Sequence, residues 1–236
     1  MEKKRIKLEV QSLEQRVYEY LRCKIIDLEI RPGEYINIKA VAGEIGVSTT
    51  PVRYALQRLC NEDLVDLFPR VGFFASKIEE KRVRDLFAVR KALELLALQV
   101  GFRHIDLQMV SELVKAFTNA LEDLTSTVDS PPYELDYRLH DLIIYSSDNP
   151  YIIKTYNGLL VLLKRARNVI RKYLPSDSYA WKDWIKQETS DHLRIAKMIQ
   201  ERDLKHATKA LDNHLASACE VICRLVEEFL TREAKQ

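Results

Sequence analysis

Glycine and proline are scarce in this chain. Of 236 residues only 6 are glycine and 7 are proline, too few breakers for an architecture of short strands and turns. Cysteine is scarce as well. The four thiols, at 23, 60, 219 and 223, lack the paired spacing of a zinc ribbon. Cys219 and Cys223 are four apart and share a helical face, which reads as reduced packing in a cytoplasmic protein. No run approaches the roughly 18 apolar residues that span a bilayer, so no membrane role is expected. The first dozen residues are too charged for a signal-peptide core, so export is not expected either. An excess of one charge is also missing. Lys and Arg number 37 against 35 Asp and Glu, a net +2. Bulk charge therefore says nothing for nucleic acid, and any such function must rest on local arrangement.

What is present is a soluble, core-forming composition. Hydrophobic residues make up 47% and charged residues 31%, which excludes a disordered chain. The few breakers are unevenly spread. Gly33, Gly43, Gly46, Gly72, Pro32, Pro51 and Pro69 all fall before residue 76. Beyond it the chain is nearly all helix-forming, interrupted at Gly101, Pro131-Pro132, Pro150 and Pro175. The expected fold is mainly α: a small mixed domain over 1–76, then an all-helical domain over 77–236.

The first domain has a readable order. Residues 12–29 repeat apolar side chains at helical spacing, at Leu13, Val17, Leu21, Ile25 and Leu28. Arg31-Pro32-Gly33-Glu34 is a turn. Asn37 caps a short helix from Ile38 to Ile45, which Gly46 ends. Ser48 caps a third helix, with Pro51 tolerated in its first turn. Val65 to Phe68 and Phe73 to Ala75, around Pro69-Arg70-Val71-Gly72, read as a hairpin. This is the order of a winged helix-turn-helix, whose third helix enters the major groove. From Ser48 to Cys60 the charges are Arg53 and Arg58, with no acid. Periodicity alone fits DNA binding and a small helical core with a solvated face equally well.

The stretch Arg31-Pro32-Gly33-Glu34, followed by Val47-Ser48-Thr49-Thr50-Pro51-Val52-Arg53-Tyr54-Ala55-Leu56-Gln57-Arg58-Leu59, resembles the DNA-binding domain of GntR-family bacterial transcription regulators. The resemblance implies that Lys39, Ser48, Thr49, Thr50 and Arg53 face operator DNA, with Arg70 and Gly72 at the wing. Two positions depart from the family pattern. Thr49 stands where arginine is usual, and Asp63 where glycine is usual. A missing bidentate arginine removes one guanine reader, worth about 1–3 kcal/mol of discrimination.

The second domain carries polar residues inside apolar stripes. Val83, Leu86, Arg90, Leu93, Ala97 and Val100 form a core-facing stripe holding an arginine. A buried arginine needs an anion, either Glu94 one turn away or the carboxylate of a ligand. Ile185, Thr189, His192, Ala196 and Ile199 form a second stripe, and Leu204, Ala207, Leu211, His214 and Ala218 a third. His192 lies 11 residues before Asp203 and His214 lies 11 after it. In an antiparallel pair both sit about 16 Å from the turn, at one level. Asp136 and His140 are four apart and share a helix face. Three imidazoles and a carboxylate would make a divalent metal site, although a single inward histidine is more often a hydrogen-bonded core residue. His104 and His206 fit no stripe.

Residues 79–230 also resemble the FCD ligand-binding domain of the FadR subfamily of these regulators. The resemblance rests on Val89-Arg90-Lys91-Ala92-Leu93-Glu94, Asp136 to His140, Asp148-Asn149-Pro150-Tyr151 and the helices of His192 and His214. It implies an antiparallel helical bundle, a homodimer and a pocket for a small metabolite. Metal-binding members use one Asp and three His, each of which has a counterpart here. Zinc is the first expectation, with nickel and manganese as alternatives. The resulting expectation is a ligand-responsive regulator, a repressor first, in which Arg90 holds a small organic acid. The rival readings are a metalloenzyme using the Asp/His₃ set and a helical scaffold without ligand.

Overall fold

The computed structural model describes residues 12–123, 133–173 and 178–233. Its Cα positions divide into two compact units, Met1–Lys77 and Ile78–Gln236. The breaks expected at Pro131-Pro132 and Pro175 lie outside the described residues.

The first unit is built from α1 (Leu13–Ile26), β1 (Tyr35–Ile36), α2 (Ile38–Ile45), α3 (Thr49–Cys60), β2 (Val65–Phe68) and β3 (Gly72–Ala75). Val17, Leu21 and Ile25 of α1 pack with Val52, Leu56 and Leu59 of α3, all at 3% exposure or less. Tyr18 adds a polar tie, donating its hydroxyl to Glu62 at 2.6 Å. The first helix stops at Ile26, short of residue 29, because Leu28 turns to φ 59°. Asn37 caps α2 as its sequence suggests, accepting from the N–H groups of Lys39 and Ala40. Ser48 holds the N-cap position of α3, but its side chain makes no capping hydrogen bond. Asp63 adopts φ 56°, so an aspartate fills the left-handed position where the family prefers glycine.

The hairpin is joined by a third strand that its sequence does not announce. The antiparallel order is β1-β3-β2, with Ile36 opposite Phe73 and Phe68 opposite Gly72. Two residues are too short to show the alternation that marks a strand. β1 nevertheless explains a glycine. Gly72 has φ 140°, and a Cβ there would meet the Tyr35 ring at 2.7 Å.

The second unit contains α4 (Glu80–Gly101), a short 3₁₀ turn (Phe102–His104), α5 (Leu107–Asp123), α6 (Tyr133–Ser146), α7 (Pro150–Tyr173), α8 (Tyr179–Gln200) and α9 (Leu204–Glu233). Pro150 stands at the first helical position of α7, where its missing N–H costs nothing. α4 ends at Gly101, where the backbone touches α6; a Cβ there would lie 2.5 Å from the Ser146 carbonyl carbon. Leu98, Val110, Phe117, Leu139, Ile143, Ile195, Ile199 and Leu211 form one dry core. The buried face of α4 is Val83, Phe87, Arg90, Glu94, Ala97, Leu98 and Gly101. It is rotated from the face expected by sequence: Glu94 enters it, and Val100 is 49% exposed.

Candidate metal centre and nucleic-acid interface

α3 presents two faces. Pro51, Val52, Ala55, Leu56 and Leu59 are buried, whereas Thr49, Thr50, Arg53, Tyr54, Gln57 and Arg58 are exposed. The two arginines are not equivalent. Arg58 lies over the Tyr18 ring at 3.6 Å, donates to Gln15 at 2.8 Å and faces Glu62 at 3.8 Å. It is a fastener between α3 and α1. Arg53, Lys39 and Arg70 are exposed and form no ion pair among the described residues. Arg70 stands at the wing turn with φ 66°. Tyr54, 57% exposed on the same face as Arg53, is an outward aromatic that the sequence reading passed over. Its place off the apolar stripe of Val52, Ala55, Leu56 and Leu59 was the available signal.

In the second unit three helices converge on one point. Asp136 and His140 come from α6, His192 from α8 and His214 from α9. All four are buried, and one ligand atom from each lies within 4.8 Å of every other. The His192 and His214 rings are 4.3 Å apart, so the tight turn at Arg202 brings the two stripes to one level. His192 Nε2 lies 2.8 Å from Asp136 Oδ1, and His140 Nε2 lies 3.3 Å from the same oxygen. His140 Nε2 and His192 Nε2 are 3.3 Å apart.

The partners left unsatisfied show what the cluster lacks. Neither ring nitrogen of His214 has a hydrogen-bond partner, and Asp136 Oδ1 accepts no well-formed hydrogen bond. Burying the His214 nitrogens without partners costs about 1–3 kcal/mol each. Burial and the neighbouring His192 and His140 hold His214 well below the usual imidazole range, so it is a neutral donor of a lone pair. Three imidazoles and a carboxylate, buried with their ligand atoms close together, are the donor set of a divalent cation. The residues fit such an ion.

An outer layer orients these donors. Glu94 Oε2 is 2.5 Å from His140 Nδ1, and Arg90 Nε donates to Glu94 Oε1 at 2.6 Å. Burial works against the Glu94 charge, but Arg90 and His140 outweigh it and hold its carboxyl at about 2. Burial would likewise lower His140, yet Glu94 raises it above the usual imidazole value. Arg167 of α7 donates to Asp136 Oδ2 and faces Glu188 at 3.7 Å. Asp136 is thereby kept well below the ordinary carboxylate range, against the effect of burial. Glu188 is raised, mainly by burial.

Arg90 is therefore matched by Glu94, the first of the two partners its position allowed. It also lines a small cavity of about 10 Å³ beside Asp136, together with Tyr156 and Arg167. His104 and His206 stand apart from the cluster, and His206 pairs with Asp203 at 2.6 Å. Arg167 and Glu188 were missed in the sequence because α7 is rich in basic residues and Glu188 sits beside the apolar stripe of α8. Glu188 lies four residues before His192, the one spacing that could have flagged it.

A winged helix-turn-helix with an outward polar third helix, followed by a helical domain with a polar cluster in its core, is the architecture of a transcription regulator. Residues 13–75 match the model of bacterial regulatory proteins of the gntR family, and residues 85–217 match the FCD domain. The chain belongs to the GntR family of transcription regulators, in the group that carries an FCD domain. It is 27% identical over 219 residues to the Nta operon transcriptional regulator of Aminobacter aminovorans, covering 89% of this chain and 96% of that protein. It is 24% identical over 218 residues to the HTH-type transcriptional repressor RspR of Escherichia coli K12, covering 92% of each. Among solved structures, E. coli McbR/YncC shares the fold with a TM-score of 0.67 and 17% identity, over 91% of this chain and 98% of that one. These domains and relatives are transcription regulators, not enzymes, which sets the metalloenzyme reading aside. No helix among the described residues is long and apolar enough to cross a membrane.

Proposed function

We propose that this chain is a cytoplasmic, effector-controlled repressor that binds operator DNA as a homodimer, and that its FCD domain holds one divalent cation and a small organic acid. The carrying observation is the buried set Asp136, His140, His192 and His214, with the nitrogens of His214 unsatisfied. Zinc suits this donor set best, with nickel and manganese as alternatives.

Charge argues for the acid. Around the cluster two guanidinium groups, Arg90 and Arg167, face three carboxylates, Glu94, Asp136 and Glu188. With His140 deprotonated, as metal ligation requires, the protein alone is short of positive charge and suits a cation. A bound dication, which would also offer a Lewis-acid contact to an oxygen ligand, leaves the site positive and suited to an anion. Arg90 spends its Nε on Glu94 and also lines the cavity, so it can serve both partners. The cavity is scarcely large enough for one water. An acid enters only if the surrounding helices part, which makes its affinity differ between two arrangements of the bundle. That difference is what linkage requires for control of DNA binding.

On the DNA side, Lys39, Thr49, Thr50 and Arg53 form the reading set, with Ser48 at the helix start and Arg70 at the wing. Gly72 serves the wing through its backbone, because a side chain there would strike Tyr35. The homodimer reading is supported by Val89, Leu96 and Val100 of α4, which are 46%, 46% and 49% exposed at helical spacing on one unit. The test is a mobility-shift assay on the chain's own upstream DNA, with zinc, across a panel of organic acids. Specific retardation that one acid relieves supports the reading. Retardation that no acid alters, in metal-loaded protein, overturns the effector claim.

A further inference from the structure

We propose that a second small-molecule site lies on the outer face of α6, and that it takes a small protonated primary amine bearing an apolar chain. This goes beyond the metal and acid reading and does not depend on it. α6 has two working faces. Asp136, Leu139, His140 and Ile143 are buried toward the cluster and the core. Arg138, Asp141, Leu142 and Tyr145, spaced three and four apart, instead line a solvent-open cavity of about 310 Å³. The first turn of α5 and the 3₁₀ turn close its other side. Its walls are apolar at Met109, Leu113 and Leu142, and its volume is at the lower end of the range for ligand pockets.

Most polar groups around the cavity are already used. Asp106 accepts from the N–H groups of Gln108 and Met109 and caps α5. Ser146 donates to the Ile143 carbonyl at 2.8 Å. The Tyr145 hydroxyl bonds with Asn157. Arg138 is loosely held by Glu112 at 3.9 Å. Asp141 is left over. Its Oδ1 is buried without any hydrogen-bond partner, while the residue as a whole is half-buried, lines the cavity and forms no ion pair among the described residues.

A buried carboxylate oxygen without a donor is costly, and a cationic N–H group is the complement that removes the cost. A bare metal ion is a poor candidate, because one free carboxylate above apolar walls does not supply an oxygen shell. An ammonium needs only the carboxylate and solvent, and its attached chain can lie on Met109, Leu113 and Leu142. Two sources supply this chemistry, a plain amine and an apolar α-amino acid. Arg138, three residues before Asp141 on the same face, distinguishes them, because only the amino acid brings a carboxylate for its guanidinium.

The experiment titrates phenethylamine and L-phenylalanine separately into the full metal-loaded chain, followed by saturation-transfer NMR and calorimetry. At least one probe should saturate a single site. Its affinity should fall roughly 10-fold or more in Asp141→Asn, the loss of one charged hydrogen bond. It should also fall in Met109→Trp, which fills the cavity from its rim and leaves the carboxylate in place. Metal analysis of Asp141→Asn checks that the adjoining His140 still functions. Phenethylamine indifferent to Arg138→Ala marks a plain amine; L-phenylalanine weakened by it marks an amino acid. The proposal is overturned if neither probe saturates, as when a second copy of the chain covers the cavity. It is overturned equally if 3-phenylpropionate binds as well as the amines, or if both variants bind like the parent.

Discussion

The two halves of this protein carry their function in opposite ways. On α3 the side chains proposed to read DNA point outward, and Arg53 has no ionic partner among the described residues. In the helical bundle the side chains proposed to bind metal and effector are buried, and several are bonded to one another, as in Arg90, Glu94 and His140 in series. An outward residue is free to meet a large partner and adds little to the fold. An inward polar residue must be satisfied inside the protein, so it is tied to stability as well as binding. On the proposed function, the first kind sets which DNA is read and the second sets what the bundle binds.

This contrast decides what the sequence could reveal. His192 and His214 interrupt apolar stripes, so periodicity alone marks them, and the four-residue spacing of Asp136 and His140 marks that pair. The paired spacing about Asp203 even places the two histidines at one level, which their 4.3 Å ring separation bears out. Nothing in periodicity marks Thr50 or Lys39, since a polar residue on an exposed face breaks no pattern; only family resemblance points to them. The failures have the same logic. β1 is two residues long and leaves no alternation to read. The α4 stripe was set one step off because Glu94 looks like surface until its partners Arg90 and His140 are seen. Arg167 reaches Asp136 from a helix whose placement beside α6 is a tertiary fact.

The sharpest break between the halves is metal loss. His192→Ala and His214→Ala should reduce bound metal from one per chain to near zero, while Arg53→Ala and His206→Ala keep it, as read by elemental analysis of purified protein. Retained metal in His214→Ala would place the ion elsewhere.

A smaller effect tests the outer layer. Glu94→Gln keeps the shape but weakens the hold on the His140 ring, and metal affinity should fall on the order of 10–100-fold in a chelator competition. Parent-like affinity would reduce Glu94 to a structural partner of Arg90.

Arg53→Ala should weaken specific DNA binding by about 1–3 kcal/mol at matched salt, with metal content intact. Arg58→Ala should instead act on stability, because Arg58 fastens α3 to Tyr18 and Gln15. Thermal unfolding and mobility shift on the two variants together check this division. Equal DNA affinity in Arg53→Ala and parent would mean that α3 reads through other residues.

The gentlest probe is pH. The raised pKa of His140 lets a proton compete with metal at its Nε2 above the ordinary imidazole value of about 6.5. Metal affinity should therefore keep rising as pH increases through 6.5 and level off only above the raised value. Binding at or below pH 6.5 should release a proton from His140 on this account. Calorimetry in two buffers of different ionisation enthalpy reads that proton directly. A binding enthalpy independent of buffer would contradict it.

The central claim is that three imidazoles and one carboxylate hold the ion, and X-ray absorption at the zinc edge of the loaded chain tests it most directly. The account predicts nitrogen and oxygen neighbours at about 2.0–2.2 Å with the multiple-scattering signature of imidazole. Sulfur at about 2.3 Å would point to Cys219 and Cys223 instead, and a shell of oxygen without imidazole would show that the buried histidines do not bind the ion.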